Sequence, residues 1–354
     1  MAADGADVAL APPLAHGFPV AQALARAAAE DFIVEEELGF APSGAGPHLL
    51  LRVRKTDANT AWVARQLARV AGCRPFDVGY AGLKDRRAIA LLWFSVPRPR
   101  ATVDWGAVRG EGFEVVEAHA HNRKLPRGAL AGNRFSVRLR AAAGGGAELA
   151  AALAPRLEAI RARGVPNYFG AQRFGREGGN LRAAAEPGAL ERLPPASRGF
   201  VLSAARSLVF NALLAERVAA GSWETLTAGD LAALDGRGSF FEVHAVDETL
   251  RARAARLEIH PTGPMWGAGE PATRFAVLEL EKRTAARYAA QSALCAGAGM
   301  RQERRSLRMR VTELECETEA GAVRLRFGLM RGSFATSVLR ELIESPPGAG
   351  EERD

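Results

Sequence analysis

A single carboxylate, Asp85, lies among three cations in the run Lys84-Asp85-Arg86-Arg87. The apolar stretches on either side, Val78 to Ala81 and Ile89 to Val96, have the length and composition of strands. An aspartate held among positive charges stays ionised at neutral pH, because the cations favour its charged form. On a rigid sheet such a group can act as a nucleophile or a base. A charged turn between two strands is also a common solvated loop, and the run alone does not separate these interpretations.

A second stretch is basic and contains no acid. Between His121 and Arg140 the chain has six cationic residues, namely Arg123, Lys124, Arg127, Arg134, Arg138 and Arg140. The second half alternates, with Phe135 on an apolar face and Arg138 and Arg140 on the other. Such a strip is typical of a surface that contacts phosphates, and a solvated strand face beside a basic turn has the same pattern.

The composition agrees with a nucleic-acid partner without requiring one. The 354 residues carry a formal net charge of +7, and only four of the 47 basic residues are lysines. Three cysteines and six scattered histidines predict a reduced cytoplasmic protein without a disulfide framework or a metal site. We find neither a signal peptide nor a membrane-spanning segment, and we expect no membrane association and a monomer.

Helical and strand patterns alternate along the chain, which predicts a mixed α/β fold. Asn59 is placed to cap a helix that runs to Val70. The stretch from Phe275 to Glu281 alternates and predicts a strand. The Gly- and Ala-rich residues 141–151 predict a connector, and their glycines match no nucleotide-binding fingerprint.

The segment Gly82-Leu83-Lys84-Asp85-Arg86-Arg87-Ala88 resembles the active-site segment of the TruD family of tRNA pseudouridine synthases. Further segments also resemble family signatures and occur in family order, so the resemblance covers about residue 24 to 345. They are Glu30 to Glu36, Gly128 to Phe135, Gly164 to Gly175 and Gly332 to Leu342. Matches in sequence order are far more specific than one short motif.

The resemblance implies that the chain isomerises a uridine of tRNA to pseudouridine, at position 13 in bacterial members. The N1 glycosidic bond breaks, the base turns over, and C5 bonds to the ribose, so the resemblance implies no cofactor and no metal. Asp85 matches the family's catalytic aspartate. Attack at C6 of the ring and action at C1′ both remain open.

The resemblance also implies a set of substrate-binding residues. Arg26 stands where the family has a basic residue near the aspartate, and Phe32, Asn133 and Phe334 match positions that hold the target nucleotide. Lys84 and Phe135 are expected to complete the pocket. The strip of Arg123, Lys124, Arg127, Arg138 and Arg140 is expected to contact RNA phosphates. Where the family usually has Thr and Gln after the aspartate, this chain has Ala90 and Leu92, which puts polar contacts around Asp85 in doubt.

For the fold, the resemblance implies a catalytic domain with a mixed, largely antiparallel sheet, interrupted by a smaller inserted α/β domain. In this scheme residues 21–163 and 304–345 form the catalytic domain and residues 164–303 form the insertion. Residues 1–20 and 346–354 are expected to be disordered tails.

Two other classes of function are compatible with parts of the sequence. A non-catalytic RNA-binding protein or RNA chaperone could use the same basic surface, and it would still bind RNA without Asp85. A metal-dependent nuclease would need a cluster of carboxylates or histidines, which we do not find in the sequence.

Overall fold

Residues 5–85, 88–186 and 188–345 are described by a computed structural model of the chain. Arg86, Arg87 and the predicted C-terminal tail 346–354 lie outside the described residues. The chain divides into two units. Unit 1 consists of Met1–Pro19, Pro155–Val311 and Ser333–Leu342, and unit 2 of Val20–Ala154, Thr312–Gly332 and Ile343–Asp354.

In the described residues the strands are β1 (Ala21–Leu24), β2 (Phe32–Glu37), β3 (His48–Thr56), β4 (Gly79–Tyr80), β5 (Ile89–Pro97), β6 (Arg109–Gly110), β7 (Phe113–His121), β8 (Gly132–Ala141), β9 (Val165–Pro166), β10 (Leu231–Leu234), β11 (Phe240–Glu242), β12 (Ile259–Met265), β13 (Glu303–Ser306), β14 (Arg308–Met309), β15 (Thr312–Glu319), β16 (Ala322–Met330) and β17 (Ile343–Glu344). The α-helices are α1 (Gly5–Leu10), α2 (Thr60–Ala71), α3 (Gly146–Arg163), α4 (Gly179–Ala185), α5 (Ala189–Arg192), α6 (Pro195–Ala219), α7 (Glu248–Ala255), α8 (Phe275–Arg287), α9 (Ala289–Gly297) and α10 (Ala335–Leu342).

Unit 2 is built on one large sheet with the strand order β15-β16-β8-β2-β5-β3-β7-β6. Strands β2 and β5 pair in parallel, as do β1 and β17, and the other pairings in this sheet are antiparallel. The predicted mixed α/β class with a mixed, largely antiparallel sheet is therefore confirmed.

The alternation of β2 and β8 decides which side chains share a face of this sheet. Phe32, Val34 and Glu36 of β2 are buried, and they lie opposite Val137, Phe135 and Asn133 of β8. Successive side chains of a strand point to opposite faces. The face that carries Asn133 and Phe135 is thus the buried face, and the even-numbered arginines of β8 lie on the other.

Helix α2 lies beside the predicted active-site segment in the chain and begins as the sequence predicts. The side chain of Asn59 accepts a hydrogen bond from the N–H of Ala61 at 2.9 Å, which satisfies one of the free donors of the first turn. Gly72 ends the helix in the left-handed conformation at φ 64°. Val63 and Leu67 are fully buried, so one face of the helix contributes to the core of unit 2.

Unit 1 is organised around α6, whose side chains Val209, Phe210 and Leu214 are fully buried. Its smaller sheet has the order β11-β10-β12-β13, and β9 pairs with β14. By length and composition the stretch Ser197–Ala219 could cross a membrane, but 67% of the most apolar part of this stretch is buried inside the protein. A buried apolar helix of this kind is typical of a protein core.

Three expectations about local structure are wrong. Phe275 to Glu281 is the start of helix α8, and the predicted connector at 141–151 contains the start of α3. Residues 5–19 of the predicted disordered tail include helix α1, whose Val8 and Ala9 are buried in unit 1. The proposed division into a catalytic domain and an insertion at 164–303 stays a prediction.

Candidate active site

Asp85 lies just beyond β4 in unit 2, and its carboxylate is paired with Arg26. The Nη1 atom of Arg26 is 3.0 Å from Oδ2 of Asp85. The same guanidinium lies over the ring of Phe32, with Cζ 4.0 Å from the ring centroid. The arginine is therefore fixed by an aromatic face on one side and presents its charge to the carboxylate on the other.

Lys55 supports Asp85 from inside the sheet, and the sequence analysis did not identify it. Its side chain is fully buried, and Nζ donates to the backbone carbonyl oxygen of Asp85 at 2.5 Å. Burial lowers the pKa of Lys55 to about 8, although the charges of Asp85 and Asp57 act in the opposite direction. The ammonium group thus holds the backbone of the aspartate in place.

A signal for Lys55 was present in the sequence. Leu51, Val53 and Lys55 alternate along β3, so the lysine continues an apolar face. A lysine on such a face is rarely fully buried unless it has a partner. Lys55 lies opposite Ala90 of β5, which is also fully buried. The small residue at position 90, one of the two departures from the family pattern, is therefore the cross-strand neighbour of the buried lysine.

Lys84 is held on the other side of the same segment. Its Nζ atom is 2.9 Å from Oε1 of Glu36, whose side chain is only 1% exposed. The second oxygen of Glu36 accepts a hydrogen bond from the backbone N–H of Trp93 at 3.0 Å. The N–H of Lys84 in turn donates to Oγ1 of Thr60, in the first turn of α2, at 3.2 Å. These contacts tie the segment that carries Asp85 to β2, β5 and α2.

Asn133 and two phenylalanines form the remaining part of this site in unit 2. Asn133 is 8% exposed, and its Oδ1 atom has no hydrogen-bond partner among the described residues. The rings of Phe32 and Phe135 meet edge to face, with centroids 5.9 Å apart, and Phe135 stacks on Phe327 at 5.4 Å. A buried amide oxygen without a donor is costly, so a ligand that supplies an N–H would be favoured there.

Phe334 belongs to unit 1, where its neighbours are Phe169 and Arg173. The ring centroids of Phe334 and Phe169 are 6.0 Å apart, and the guanidinium of Arg173 is 5.9 Å from the Phe334 ring. The role predicted for Phe334 in binding the target nucleotide stays a prediction.

The predicted phosphate strip separates into two groups. Arg138 pairs with Glu319 at 2.6 Å, and Arg140 binds both oxygens of Asp31 at 2.8 and 2.9 Å. Both arginines lie on the sheet face opposite Asn133. The sequence showed no acid nearby because Asp31 and Glu319 come from other strands or turns that are distant in the chain.

The other three members, Arg123, Lys124 and Arg127, lie between β7 and β8. The Nζ atom of Lys124 donates to the carbonyl oxygen of Phe76 at 2.5 Å. The same atom lies 4.5 Å from the centroid of the exposed Phe76 ring. The guanidinium of Arg127 stacks on Tyr80 at 3.6 Å. Among the residues that the structure describes, none of the three has a carboxylate within ion-pair distance. These three cations, which we call the basic loop, keep their charge available for an anion.

Within residues 5–85, 88–186 and 188–345, no group of three or more His, Cys, Asp or Glu side chains could hold a metal ion. The residues described above bring together a carboxylate, its basic neighbours, aromatic rings and one amide oxygen without a hydrogen-bond partner among the described residues.

The mixed sheet and the Arg26–Asp85 pair on the segment between β4 and β5 are compatible with a pseudouridine synthase, and the comparison with known families shows this class. The chain belongs to one family of this class, tRNA pseudouridine synthase D (TruD), whose family model matches residues 17–187 and 179–342. The resemblance seen in the motifs is thereby confirmed.

Relatives of known name support this assignment over almost the whole chain. The chain is 44% identical to a tRNA pseudouridine synthase D of Methylococcus capsulatus over 341 residues, which cover 95% of each chain. It is 45% identical to the one of Pseudomonas aeruginosa over 343 residues, covering 95% of this chain and 94% of the relative. The fold is also similar to the crystal structure of a candidate tRNA pseudouridine synthase D from Methanosarcina mazei. That similarity has a TM-score of 0.72 at 20% identity and covers 97% of this chain and 98% of the other.

Proposed function

We propose that this chain converts the uridine at position 13 of tRNA to pseudouridine, with Asp85 as the nucleophile. The observation that carries the proposal is the Arg26–Asp85 pair, with 3.0 Å between Nη1 and Oδ2. It holds a carboxylate in one position on a segment that Lys55 and Lys84 anchor separately. A positioned nucleophile lowers the barrier because its orientation is fixed before the reaction.

The reaction is an isomerisation, so atoms balance within the nucleotide. The N1–C1′ bond breaks, the uracil turns over, a C5–C1′ bond forms, and the proton on C5 is lost as N1 gains one. Asp85 can form a transient bond at C6 or at C1′, and both routes use the same carboxylate. Enzymes that act on a base in folded nucleic acid must first extrude it, and pocket contacts offset the lost stacking.

We assign the unpaired Oδ1 atom of Asn133 as the acceptor for an N–H of the extruded uracil. The predicted role of Phe32 changes in detail, because one face of its ring is covered by Arg26 at 4.0 Å. We propose that Phe32 positions Arg26, whereas Phe135 supports Phe32 by packing edge to face against its ring. Among the cations, the basic loop of Arg123, Lys124 and Arg127 would contact phosphates, and Arg138 and Arg140 would stabilise the sheet.

We also propose an assembly state, a cellular location and a domain division for the chain. The chain acts as a monomer in the cytoplasm, with tRNA as partner and without a metal or cofactor. Residues 164–303 form an inserted domain within a catalytic domain made of residues 21–163 and 304–345. The support for tRNA as partner is the family to which the chain belongs.

The test uses the purified chain and a tRNA transcript with uridine at position 13. We expect pseudouridine at that position alone, detected by carbodiimide labelling and mass spectrometry without added cofactor or metal. A transcript with cytidine at position 13 is the matched control and should give no product. Binding without product, or product at another position only, would contradict the proposal and, in the first case, favour a non-catalytic RNA-binding protein.

A further inference from the structure

Two arginines of unit 1, Arg173 and Arg305, approach the same aromatic ring. The guanidinium carbon of Arg305 is 4.1 Å from the centroid of Phe169, and that of Arg173 is 5.1 Å from it. Phe169 itself is buried. Among the described residues, neither guanidinium has a carboxylate within ion-pair distance. Two positive charges therefore contact one ring, close enough for Arg173 to act on Arg305 electrostatically, without an opposite charge from the described protein.

The hydrogen-bond partners of both arginines are neutral. Arg305 donates to the carbonyl oxygen of Asn167 and, at 2.5 Å, to its side-chain Oδ1. Arg173 donates to Oγ of Ser203 at 2.8 Å. Burial lowers the pKa of Arg305 to about 9, and the charge of Arg173 contributes to this shift; burial also lowers the pKa of Arg173. Burial of like charges has this effect because it disfavours the charged form.

Two other arginines of unit 1, whose side chains are buried, are neutralised by the chain itself. Arg217 pairs with Asp230 at 3.2 Å, and Arg304 pairs with Glu281 at 2.8 Å. A buried charge is normally paired in this way because its desolvation is expensive. Arg173 and Arg305 are partly exposed and lack such a partner among the described residues, so their charge is open to an anion from outside the protein.

The surroundings of the two arginines are fixed rather than adaptable. Asn167 is 6% exposed, and its Nδ2 atom donates to the carbonyl oxygen of Ser306 at 2.9 Å, which directs Oδ1 toward Arg305. The amide of Asn211 brackets the backbone of Phe169, accepting from its N–H and donating to its carbonyl. The site is therefore organised before any ligand binds, which reduces the entropy that binding loses.

We propose that Arg173 and Arg305 together bind one backbone phosphate of the RNA substrate. Each guanidinium presents planar N–H donors that match the two non-bridging oxygens of a phosphodiester. Arg173 also lies 5.9 Å from the ring of Phe334, which is only partly buried, so a nucleotide held by this phosphate would have an aromatic neighbour. This proposal rests on the proposed function and adds a specific contact to it.

The experiment compares tRNA binding by the full-length protein and by Arg173→Met, which keeps apolar packing on Phe169 and Phe334. We expect about tenfold weaker binding, as for loss of a charge-assisted hydrogen bond. The log–log slope of affinity against salt should become shallower by about 0.7 to 0.9, as expected for one phosphate contact. Arg305→Lys keeps the charge and the position near Asn167 but loses the planar fork, and it should weaken binding by a smaller factor.

A second readout locates the contact on the RNA. Ethylation of single phosphates in the transcript should interfere with wild-type binding at one position where it no longer affects Arg173→Met. The matched control is Arg283→Met, because Arg283 is exposed and pairs with Glu216 at 3.0 Å. This control should bind tRNA like the wild type.

Unchanged affinity, salt slope and ethylation pattern in both Arg173→Met and Arg305→Lys would overturn the phosphate site. Pseudouridine formation by the wild-type protein is measured in parallel on the same transcript. If the wild type forms pseudouridine while the variants bind unchanged, only the phosphate site is wrong. If the wild type forms none, the proposed function is wrong, and the ethylation pattern still decides whether the two arginines contact RNA.

Discussion

The ammonium group of Lys55, buried in β3, donates to the backbone carbonyl oxygen of Asp85 at 2.5 Å. The side chain of Asp85 is bound separately by Arg26. The position of the residue and the orientation of its carboxylate therefore depend on different partners. Substitutions can change one without the other, which makes the two contributions measurable.

Replacing Asp85 by Asn removes the nucleophile and retains the backbone carbonyl that Lys55 binds. We expect pseudouridine formation to fall by at least about a thousandfold, a barrier increase of about 4 kcal/mol. Thermal unfolding and tRNA affinity should change little, because the anchor on Lys55 persists. Single-turnover assays on a tRNA transcript measure the rate, and a loss of less than about tenfold would exclude Asp85 as the nucleophile.

Replacing Arg26 by Met removes the charge next to Asp85 and keeps an apolar side chain over Phe32. We expect kcat to fall by about ten- to a hundredfold with little change in KM, because the carboxylate loses its orientation. The pair is partly exposed, so the free energy of unfolding should change by less than about 1 kcal/mol. Arg26→Lys should recover part of kcat. A change confined to KM would show that Arg26 binds RNA instead.

The lowered pKa of Lys55 predicts a dependence of stability on pH. Below about pH 8 the amine is protonated in both the folded and the unfolded state, so pH has no effect through this group. Between about pH 8 and its ordinary value of 10.5, the unfolded state retains a proton that the folded state has lost. The free energy of unfolding of the wild type, minus that of Lys55→Met, should therefore rise with pH, by about 1 kcal/mol per unit. Denaturant unfolding at pH 7.5 and 9.5 measures it, and a flat difference would contradict the burial of an amine there.

The basic loop should contribute affinity for tRNA. Replacing Arg123, Lys124 and Arg127 by Ala is expected to weaken binding of different tRNAs to a similar extent and to make the log–log salt slope shallower by about 0.7 to 0.9 for each lost phosphate contact. Asn133→Ala is the converse variant, with lower turnover of bound tRNA and an unchanged slope. An unchanged slope in the triple variant would show that the loop is only a solvated surface.

Arg140 should stabilise the sheet rather than bind RNA. Burial raises the pKa of Asp31, and hydrogen bonds from Arg140 and Ala28 more than offset this, so the pKa is lowered overall. A carboxylate with a lowered pKa stabilises the fold above its unfolded pKa and loses that contribution as pH falls. Arg140→Ala should thus lower the free energy of unfolding at pH 7, and this loss should shrink below about pH 4, where Asp31 becomes protonated in both states. Urea denaturation at both pH values provides the measurement; a strong loss of tRNA affinity with unchanged stability would return Arg140 to the phosphate-binding set.

Two local features of unit 2 agree with the sequence, while the roles of the site residues stay predictions. Asp85 and Arg26 form the ion pair that the resemblance implied, and the helix after Asn59 begins where its capping residue predicts. The ion pair follows from a pattern shared by the family, and the start of the helix follows from a local capping pattern. Lys55 was not found, because the burial of one lysine depends on a carbonyl thirty residues away in the chain.

The errors in secondary structure have the same origin. The alternation from Phe275 to Glu281 predicts a strand, but it extends over only seven residues. In the structure Glu281 is fully buried and pairs with Arg304, so the buried positions Val277, Glu281 and Thr284 follow a helical period. The acids that pair with Arg138 and Arg140 could not be predicted either, because local sequence patterns do not determine the order of strands in a sheet.

The pairing of β8 with β16 has a consequence for synthesis on the ribosome. Strand β8 at Gly132–Ala141 carries Asn133, and its nine paired positions on β16 are supplied only by residues 322–330. Until residues 322–330 have been synthesised, β8 can pair with β2 on one edge, but its other edge has no partner. An open strand edge invites pairing with another chain, and pairings between distant segments form slowly. Completion of the sheet next to Asn133 is therefore expected to be a late step in the folding of the chain.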